Sequence, residues 1–200
     1  MSKVLLLSAG SSDVSGNKKA AEYSKGYLKE KGVETYLFDN LYSDIPFILE
    51  GGVDQPDKIK QIRDTLLQCD HLIIYSPVFN GGYASHLKNT LDWLSLAFDG
   101  FKYNELFKNK KAAIVSAVLG KGGNSYTAYS SLATQLENYG LKVPFLRPKN
   151  ISKKYSLDYD YITHVIQKIK KEEYYPDYII ILRPTSPLRK IKELKSCLNK

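Results

Sequence analysis

Short apolar runs alternate with amphipathic segments over the first 140 residues of the chain. The runs predict four buried strands, at residues 3–8, 33–38, 71–75 and 111–117. Apolar positions recurring at helical spacing predict four helices, at residues 17–31, 57–69, 84–98 and 126–139. Gly32 and Gly140 follow two of these helices and are natural stop signals. Buried strands separated by helices predict the α/β class, a parallel sheet with helices on both faces.

The pattern changes after Gly140. Residues 141–146 are expected to supply a fifth strand, and residues 158–173 a further helix. Residues 178–182 form an apolar run typical of an additional strand. We therefore predict a domain at residues 1–140 and a tail at residues 141–200. The tail would complete or extend a doubly wound, five-stranded sheet.

Three glycine-rich loops follow the first, third and fourth predicted strands, at residues 8–17, 76–83 and 118–125. Right-handed crossovers bring these loops together at one edge of the sheet. Ligands of open α/β sheets bind outside the carboxyl ends of the strands, so this edge is the predicted ligand site. The irregular segment 40–56 is long enough to form part of its wall.

The first loop is rich in hydroxyl groups and precedes a helix. Such a loop favours an anion, because the helix dipole and the unpaired N–H groups point at the ligand. It has neither the Gly-Lys-Ser/Thr ending of a P-loop nor the glycine spacing of a dinucleotide fold. It suits a single terminal phosphate, as in a mononucleotide. Simple capping of the helix by Ser15 or Asn17 is the alternative.

The second loop reads Ser-Pro-Val-Phe-Asn-Gly-Gly-Tyr over residues 76–83. Its glycines allow close approach of a flat ligand, and Pro77 restricts the turn. Phe79 and Tyr83 are expected to be exposed aromatic side chains on which a ligand can stack. The alternative is an ordinary turn built on the Asn-Gly pair.

The third loop contains Gly120, Gly122 and Gly123. Closely spaced glycines let the backbone run along the edge of a ligand and donate hydrogen bonds to it. The alternative is a flexible connection between a strand and a helix. Considered alone, the sequence of this loop does not separate the two interpretations.

The charge and cysteine content narrow the choice of partners. The net charge is +8, but many lysines lie in the final third of the chain and alternate with apolar residues at helical spacing. We read them as solvated helix faces rather than a nucleic-acid surface, and an anionic ligand stays possible. Cys69, Cys197 and three scattered histidines predict no disulfide framework and no metal site, which fits a cytoplasmic protein. No apolar run approaches the roughly 20 residues that cross a bilayer.

The loops and the helix after the third strand resemble the NADPH-dependent FMN reductase family. The resemblance covers residues 1–140 and lies in Gly10 to Asn17, in Ser76 to Tyr83 with the following Leu87 to Leu94, and in Gly120 to Gly123. It implies a flavodoxin-like fold, FMN as cofactor and NADPH or NADH as co-substrate. It also implies a small-molecule electron acceptor and a homodimer or homotetramer.

The resemblance also implies which residues bind the cofactor. In the first loop these are Ser8, Gly10, Ser11, Ser15, Gly16 and Asn17, with the phosphate on Ser11, Ser15 and Asn17. Along the isoalloxazine they are Pro77, Val78, Phe79, Asn80 and Gly81, with Gly120, Gly122 and Gly123 on the other edge. No acid–base residue is expected to be catalytic, because the cofactor carries the chemistry. Two residues depart from the family pattern. Asp13 stands where the family usually has an arginine, and Phe79 stands where it often has a tyrosine.

The tail resembles an internal fragment of acylneuraminate cytidylyltransferases. The similar segments are residues 143–148, 156–159 and 176–189, the last containing Arg-Pro-Thr-Ser-Pro-Leu-Arg. The nucleotide loop and metal-binding carboxylates of those enzymes have no counterpart here. Because nucleotidyl transfer needs a triphosphate cradle and Mg²⁺, no transferase activity is expected. Binding of a nucleotide or sugar acid by Arg147, Arg183 and Arg189 is a weaker alternative.

Two functional hypotheses follow from the sequence. The first is an FMN-dependent NAD(P)H oxidoreductase that reduces a quinone, an azo compound, free flavin or a similar acceptor. The second is a flavin-binding or partner-binding protein without turnover, which the negative charge of Asp13 and the unusual tail motivate. His86 is expected to be exposed or to cap its helix, and Trp93 to lie in the core.

Overall fold

The computed structural model describes residues 2–49, 54–117, 125–143 and 158–171. The chain divides into two compact units, Met1–Lys154 and Tyr155–Lys200. The described residues of the first form six strands: β1 Lys3–Ser8, β2 Glu34–Phe38, β3 His71–Tyr75, β4 Val78–Phe79, β5 Gly82–Tyr83 and β6 Lys111–Val115. They also form four α-helices: α1 Gly16–Glu30, α2 Asp57–Leu67, α3 Ser85–Ser95 and α4 Ser125–Asn138, with a 3₁₀ turn at Glu105–Phe107. In the second unit, the described residues form α5, Asp158–Lys170.

The central sheet has the strand order β2-β1-β3-β6 and is parallel throughout. The register aligns Leu6 of β1 with Leu37 of β2 on one side and with Ile73 of β3 on the other. These four strands therefore end at the same edge of the sheet. The parallel α/β sheet predicted from the apolar runs is confirmed.

Side chains of β1 alternate between two cores. Val4 and Leu6 pack with Ala21 of α1 on one face of the sheet. Leu5 and Leu7 belong to a larger cluster on the other face, which includes residues of α2, α3 and α4. A strand that is apolar on both faces is buried on both, which is why β1 reads as a continuous apolar run. Helices on both faces are thus confirmed.

Helix α3 ends at Ser95 rather than at residue 98 as predicted. Leu96 is already extended, with φ −65° and ψ 153°. The chain then makes a tight turn in which Asp99 and Gly100 have positive φ, and the rings of Phe98 and Phe101 stack at 4.9 Å. The apolar residues after Ser95 therefore belong to this turn. Because their spacing also fits one more turn of helix, the sequence predicted an end three residues too late.

The predicted fifth strand is seen only at its start. Lys142 forms a parallel bridge with Lys111, and the Ala112 N–H donates to the Lys142 carbonyl at 2.9 Å. Residues 144–146 of that strand, the strand predicted at 178–182 and the segments that resemble cytidylyltransferases at 143–148, 156–159 and 176–189 lie wholly or mostly outside the described residues. Within the described residues, no helix is long and apolar enough to cross a membrane.

Substitution of two glycines by alanine tests the backbone conformation assigned to residues 26 and 140. Gly26 lies inside α1, and a Cβ built there meets no atom within 4 Å. We predict that Gly26→Ala stabilises the chain by about 0.5–1 kcal/mol, because alanine loses less backbone entropy in a helix. Gly140 has φ +90°, where alanine is strained, so Gly140→Ala should destabilise the chain. Urea unfolding of both variants checks the two signs, and a destabilised Gly26→Ala would contradict the assignment.

Candidate functional site

The amino end of α1 carries backbone N–H groups without acceptors in the helix. Ser15 occupies the N-cap position, and its side chain makes no capping hydrogen bond. The first N–H that donates within the helix is that of Lys19, to the Ser15 carbonyl at 3.1 Å. The N–H groups of Gly16, Asn17 and Lys18 precede it. With no acidic residue in the first turn, this helix end can hold an anion.

Gly10 is required by the way the first loop folds back on α1. A Cβ at Gly10 would lie 2.3 Å from the Ser15 Oγ and 3.1 Å from the Lys18 backbone nitrogen. Real Cβ atoms essentially never come as close as the contacts with Ser15, so a side chain at residue 10 must displace Ser15. The loop also bonds to itself: the Ser15 N–H donates to the Ser12 carbonyl at 3.0 Å, and the Gly10 N–H to the Ser8 Oγ at 3.4 Å.

The Asn17 side chain joins the first loop to the end of β6. Its Nδ2 donates to the Ala117 carbonyl at 3.1 Å, and its Oδ1 accepts from the Ala117 N–H at 2.8 Å. The residue is buried. The side-chain capping of α1 by Ser15 or Asn17, which the sequence left open, is therefore not what these residues do. The Asn17 amide acts as a clamp, so Asn17 can offer a phosphate only its main-chain N–H.

Lys18 supplies positive charge beside the first loop. Its Nζ lies 3.0 Å from Asp39, directly after β2, and 3.9 Å from Asp13. The hydrogen bond to Asp39 raises the pKa of Lys18, so the ammonium form is favoured. The Asp13 side chain is fully exposed. The loop's negative charge thus points to solvent and has a cation next to it.

The second loop is a β-hairpin. Strands β4 and β5 pair antiparallel, with Val78 opposite Tyr83 and Phe79 opposite Gly82. Asn80 and Gly81 form the turn with φ of 50° and 80°, as a type I′ turn requires. The Phe79 side chain is 53% exposed, as the sequence predicts. The turn interpretation of Asn-Gly and the ligand-loop interpretation are therefore compatible, because the turn is what presents Phe79.

Ser76 anchors the base of this hairpin. Its hydroxyl donates to the Pro77 carbonyl at 2.9 Å and accepts from the Ala84 N–H at 3.2 Å. Its own N–H donates to the Val115 carbonyl at 3.0 Å, which ties the hairpin to β6. The sequence analysis did not predict this role of Ser76. Serine is common in loops after strands, so its presence there gives no signal of an anchor.

Tyr83 is not the exposed aromatic residue that the sequence predicts. It is partly buried, and its hydroxyl donates to the Gln135 Oε1 of α4. Burial, and then the nearby Asp92 carboxylate, raise the pKa of Tyr83 to about 12. Only Phe79 of the two aromatic residues is available for stacking.

The helix motif of Leu87 to Leu94 holds the segment after β2. The Asn89 side chain accepts from the Ile48 N–H at 3.0 Å and donates to the Pro46 carbonyl at 3.0 Å. The Trp93 indole N–H donates to the same carbonyl at 2.8 Å. Trp93 is buried, so its predicted place in the core is confirmed. The segment around Pro46 and Ile48 is thereby fixed to α3, and the wall expected of residues 40–56 stays a prediction.

His86 links α3 to the first loop. Its Nε2 lies 2.8 Å from the Ala9 carbonyl, which can only accept, so Nε2 must carry the proton. The Tyr42 ring meets the imidazole edge-on at 6.0 Å. The residue is half-buried, which differs from the exposed or capping role expected from the sequence.

The structure brings two of the three loops together and leaves the third outside the description. The Ala9 N–H donates to the Tyr75 carbonyl at 2.8 Å, which joins the roots of the first loop and the hairpin. The described candidate residues at this edge are Ser8, Gly10, Ser11, Ser15, Gly16, Asn17, Pro77, Val78, Phe79, Asn80 and Gly81. Gly120, Gly122 and Gly123 lie outside the described residues. Among the residues that are described, no group of His, Cys, Asp or Glu could hold a metal ion.

Comparison with known proteins matches the part of the chain that contains the sheet and the candidate site. The profile of the NADPH-dependent FMN reductase family matches residues 2–144. The chain is 30% identical over 123 residues to a probable NADPH:quinone oxidoreductase of Oryza sativa, covering 55% of this chain and 58% of that protein. It is 27% identical over 124 residues to an NAD(P)H-dependent FMN reductase of Pseudomonas aeruginosa, covering 58% and 63%. The chain spans about half the length of the curated relatives it matches.

A solved structure shows the same fold. The flavoenzyme NAD(P)H:acceptor oxidoreductase FerB of Paracoccus denitrificans superposes with a TM-score of 0.62 at 18% identity, over 86% of this chain and 94% of that one. The flavodoxin-like fold expected from the sequence is therefore confirmed for the sheet and its helices.

The clamp formed by Asn17 leads to a stability prediction. Asn17→Ala removes both hydrogen bonds to Ala117, which is itself exposed, so we expect a loss of about 1–2 kcal/mol in the flavin-free chain. Asn138, exposed at the end of α4, provides the control, and Asn138→Ala should change stability by less than about 0.5 kcal/mol. Urea unfolding without flavin measures both. An Asn17→Ala chain as stable as the control would refute the clamp.

The environment of Tyr83 leads to a prediction about pH. Its pKa is raised from 10.0 to about 12, so above pH 10.0 the native chain keeps a proton that the unfolded chain loses. Stability must therefore fall as pH rises through this window. Tyr83→Phe should make that fall shallower by up to about 1.4 kcal/mol per pH unit. Urea unfolding between about pH 9 and 11 measures the slope.

Tyr23→Phe, at an exposed tyrosine, is the matched control. Equal slopes for wild type and Tyr83→Phe would contradict the assignment.

Proposed function

This chain belongs to the NADPH-dependent FMN reductase family, and from that premise we propose that it is an FMN-dependent NAD(P)H oxidoreductase. Its acceptor would be a quinone, an azo compound, free flavin or a similar small molecule. The observation that carries the proposal is the pairing of an uncapped helix end with an exposed aromatic hairpin at one edge of the sheet. The first suits a phosphate and the second a flat ring.

The amino end of α1 would bind the FMN phosphate. The donors are the N–H groups of Gly16, Asn17 and Lys18, with the hydroxyls of Ser11 and Ser15 beside them. The helix dipole favours negative charge here. The Lys18 ammonium adds to this, although Asp39 partly neutralises it. The close packing of Gly10 on Ser15 holds these donors in place before any ligand arrives.

The hairpin would bind the ring system. Asn80 and Gly81 place exposed backbone at the turn, and Phe79 presents an apolar face. Bound FMN would supply the hydride-accepting and electron-donating chemistry. The contribution of this chain is to orient the ring against Phe79 and to cover part of it from water. We assign no acid–base residue, since the Tyr83 hydroxyl and the His86 Nε2 proton are already bonded to Gln135 and Ala9.

Asp13 is the residue that motivates the alternative, a flavin-binding protein without turnover. Its carboxylate is fully exposed and lies 3.9 Å from the Lys18 Nζ. An exposed charge with a counterion has little effect on a neighbouring site. This placement supports the oxidoreductase over the alternative. The arginines proposed to bind a nucleotide or sugar acid, Arg147, Arg183 and Arg189, lie outside the described residues.

We also propose a homodimer or homotetramer in the cytoplasm. Several of the most exposed apolar side chains lie on loops at the candidate edge: Val14, Phe47, Leu49 and Phe79. Exposed apolar surface of this kind favours a covering partner. The cysteines form no framework that would need an oxidising compartment. Sedimentation velocity of the purified chain tests the oligomeric state, and a monomer at micromolar concentration would refute it.

Flavin titration tests the binding part of the proposal. We expect the purified chain to bind one FMN per protomer and to turn yellow. Gly10→Ala should weaken binding by at least about tenfold, since the new Cβ displaces Ser15 from the anion site. Gly26→Ala, inside α1 and away from its amino end, is the control and should bind FMN like wild type. A colourless wild-type chain that takes up no FMN would refute the proposal.

Nicotinamide oxidation tests turnover. With FMN bound, NADPH or NADH should be oxidised in the presence of a quinone, an azo dye or free flavin. A chain that holds FMN but is reduced by neither nicotinamide would favour the alternative of binding without turnover.

A further inference from the structure

A chain of hydrogen bonds runs from the hairpin to the surface of α3. The Tyr83 hydroxyl donates to the Gln135 Oε1, and the Gln135 Nε2 donates to the Tyr139 hydroxyl. The Tyr139 hydroxyl donates to the Asp92 Oδ1 at 2.8 Å. The Lys88 Nζ closes the chain, at 2.6 Å from both oxygens of Asp92. These residues lie on β5, on α3, and on or just after α4.

The Asp92 carboxylate determines the direction of every bond in this chain. A carboxylate accepts only, so the Tyr139 hydroxyl must give its proton to Asp92. The Tyr139 oxygen then needs a donor, and this orients the Gln135 amide with its NH₂ group toward Tyr139. The Gln135 oxygen faces Tyr83 and requires the Tyr83 proton. A flipped amide would place its oxygen against the Tyr139 and Asp92 oxygens, and the Gln135 Nε2 contact with Asp92 at 3.4 Å would also be lost.

The hairpin depends on such anchors. Each of its strands has two residues. A two-stranded hairpin is marginally stable alone, so its position is set by what it contacts. The Ser76 hydroxyl anchors its base, donating to the Pro77 carbonyl and accepting from the Ala84 N–H. Tyr83, paired with Val78 next to Phe79, ties its second strand to α4.

We propose that Gln135 is a positioning residue for the flavin site, because it carries the orientation set by Asp92 to the Tyr83 hydroxyl and so holds the hairpin that presents Phe79. The effect of Gln135 on FMN binding rests on the proposed function. Its effect on the position of the hairpin does not, and applies to the flavin-free chain as well. Tyr139 is a suitable relay, since its ring is also held by stacking on Phe107 at 5.1 Å.

Hydrogen exchange of the flavin-free chain tests the structural part. Gln135→Leu and Tyr83→Phe should each raise amide exchange across residues 78–83 by about fivefold, the effect of losing one neutral hydrogen bond. Gln61→Leu, at an exposed position of α2, is the control for the same substitution and should leave exchange in the hairpin unchanged. Unchanged exchange in both Gln135→Leu and Tyr83→Phe would overturn the proposal.

A double-mutant cycle on FMN affinity tests the consequence. Each single variant should bind FMN about fivefold more weakly, and the double variant also about fivefold, because the two residues act through one bond. The visible absorption bands of bound FMN should shift alike in both single variants. Multiplied losses, of about 25-fold in the double variant, or unchanged affinity in both singles would overturn the assignment. If wild type binds no FMN, the proposed function fails, and the exchange experiment still decides the role of Gln135.

Discussion

Hydrogen bonds from buried polar side chains to backbone groups hold the candidate site together, because a buried polar group without a partner is costly. Ser8, Asn17, Ser76 and Asn89 are buried, and each reaches a backbone group of its own loop or of a neighbouring segment. A lost partner would leave a buried donor or acceptor without water, at a cost of about 1–3 kcal/mol. The loops at the carboxyl edge of the sheet are therefore held to one another, although they contain few regular elements.

The same bonds determine what remains free for a ligand. The amide of Asn17, the hydroxyl of Tyr83 and the Nε2 proton of His86 are all engaged within the protein. The uncapped N–H groups of α1 and the exposed ring of Phe79 remain at this edge. An anion and a flat ring are the chemical groups that these two features bind. The site thus presents backbone N–H groups and one exposed ring, while its polar side chains serve as the scaffold.

The helix motif after the hairpin shows why a resemblance can locate a site without identifying its ligands. Asn89 and Trp93 hold the segment around Pro46, and Asp92 organises the bonds that reach Tyr83. Asn89, Asp92 and Trp93 of this motif thus support neighbouring segments from behind. The motif therefore indicates the architecture of the site, while the groups proposed to face the flavin lie on the loops before it.

The sequence by itself determined the four parallel strands β1, β2, β3 and β6, most helix ends to within about two residues, and the edge at which these strands end. These follow from local patterns: apolar periodicity, and glycines such as Gly32 and Gly140 that stop helices at positive φ. Only the tertiary structure decided that Asn17 clamps Ala117, that Tyr83 is partly buried and that Gln135 links it to Asp92. The physical reason is that each of these bonds joins residues far apart in the chain. A side chain's hydrogen-bonding capacity is visible in the sequence, but its partner exists only after the sheet has brought the two together.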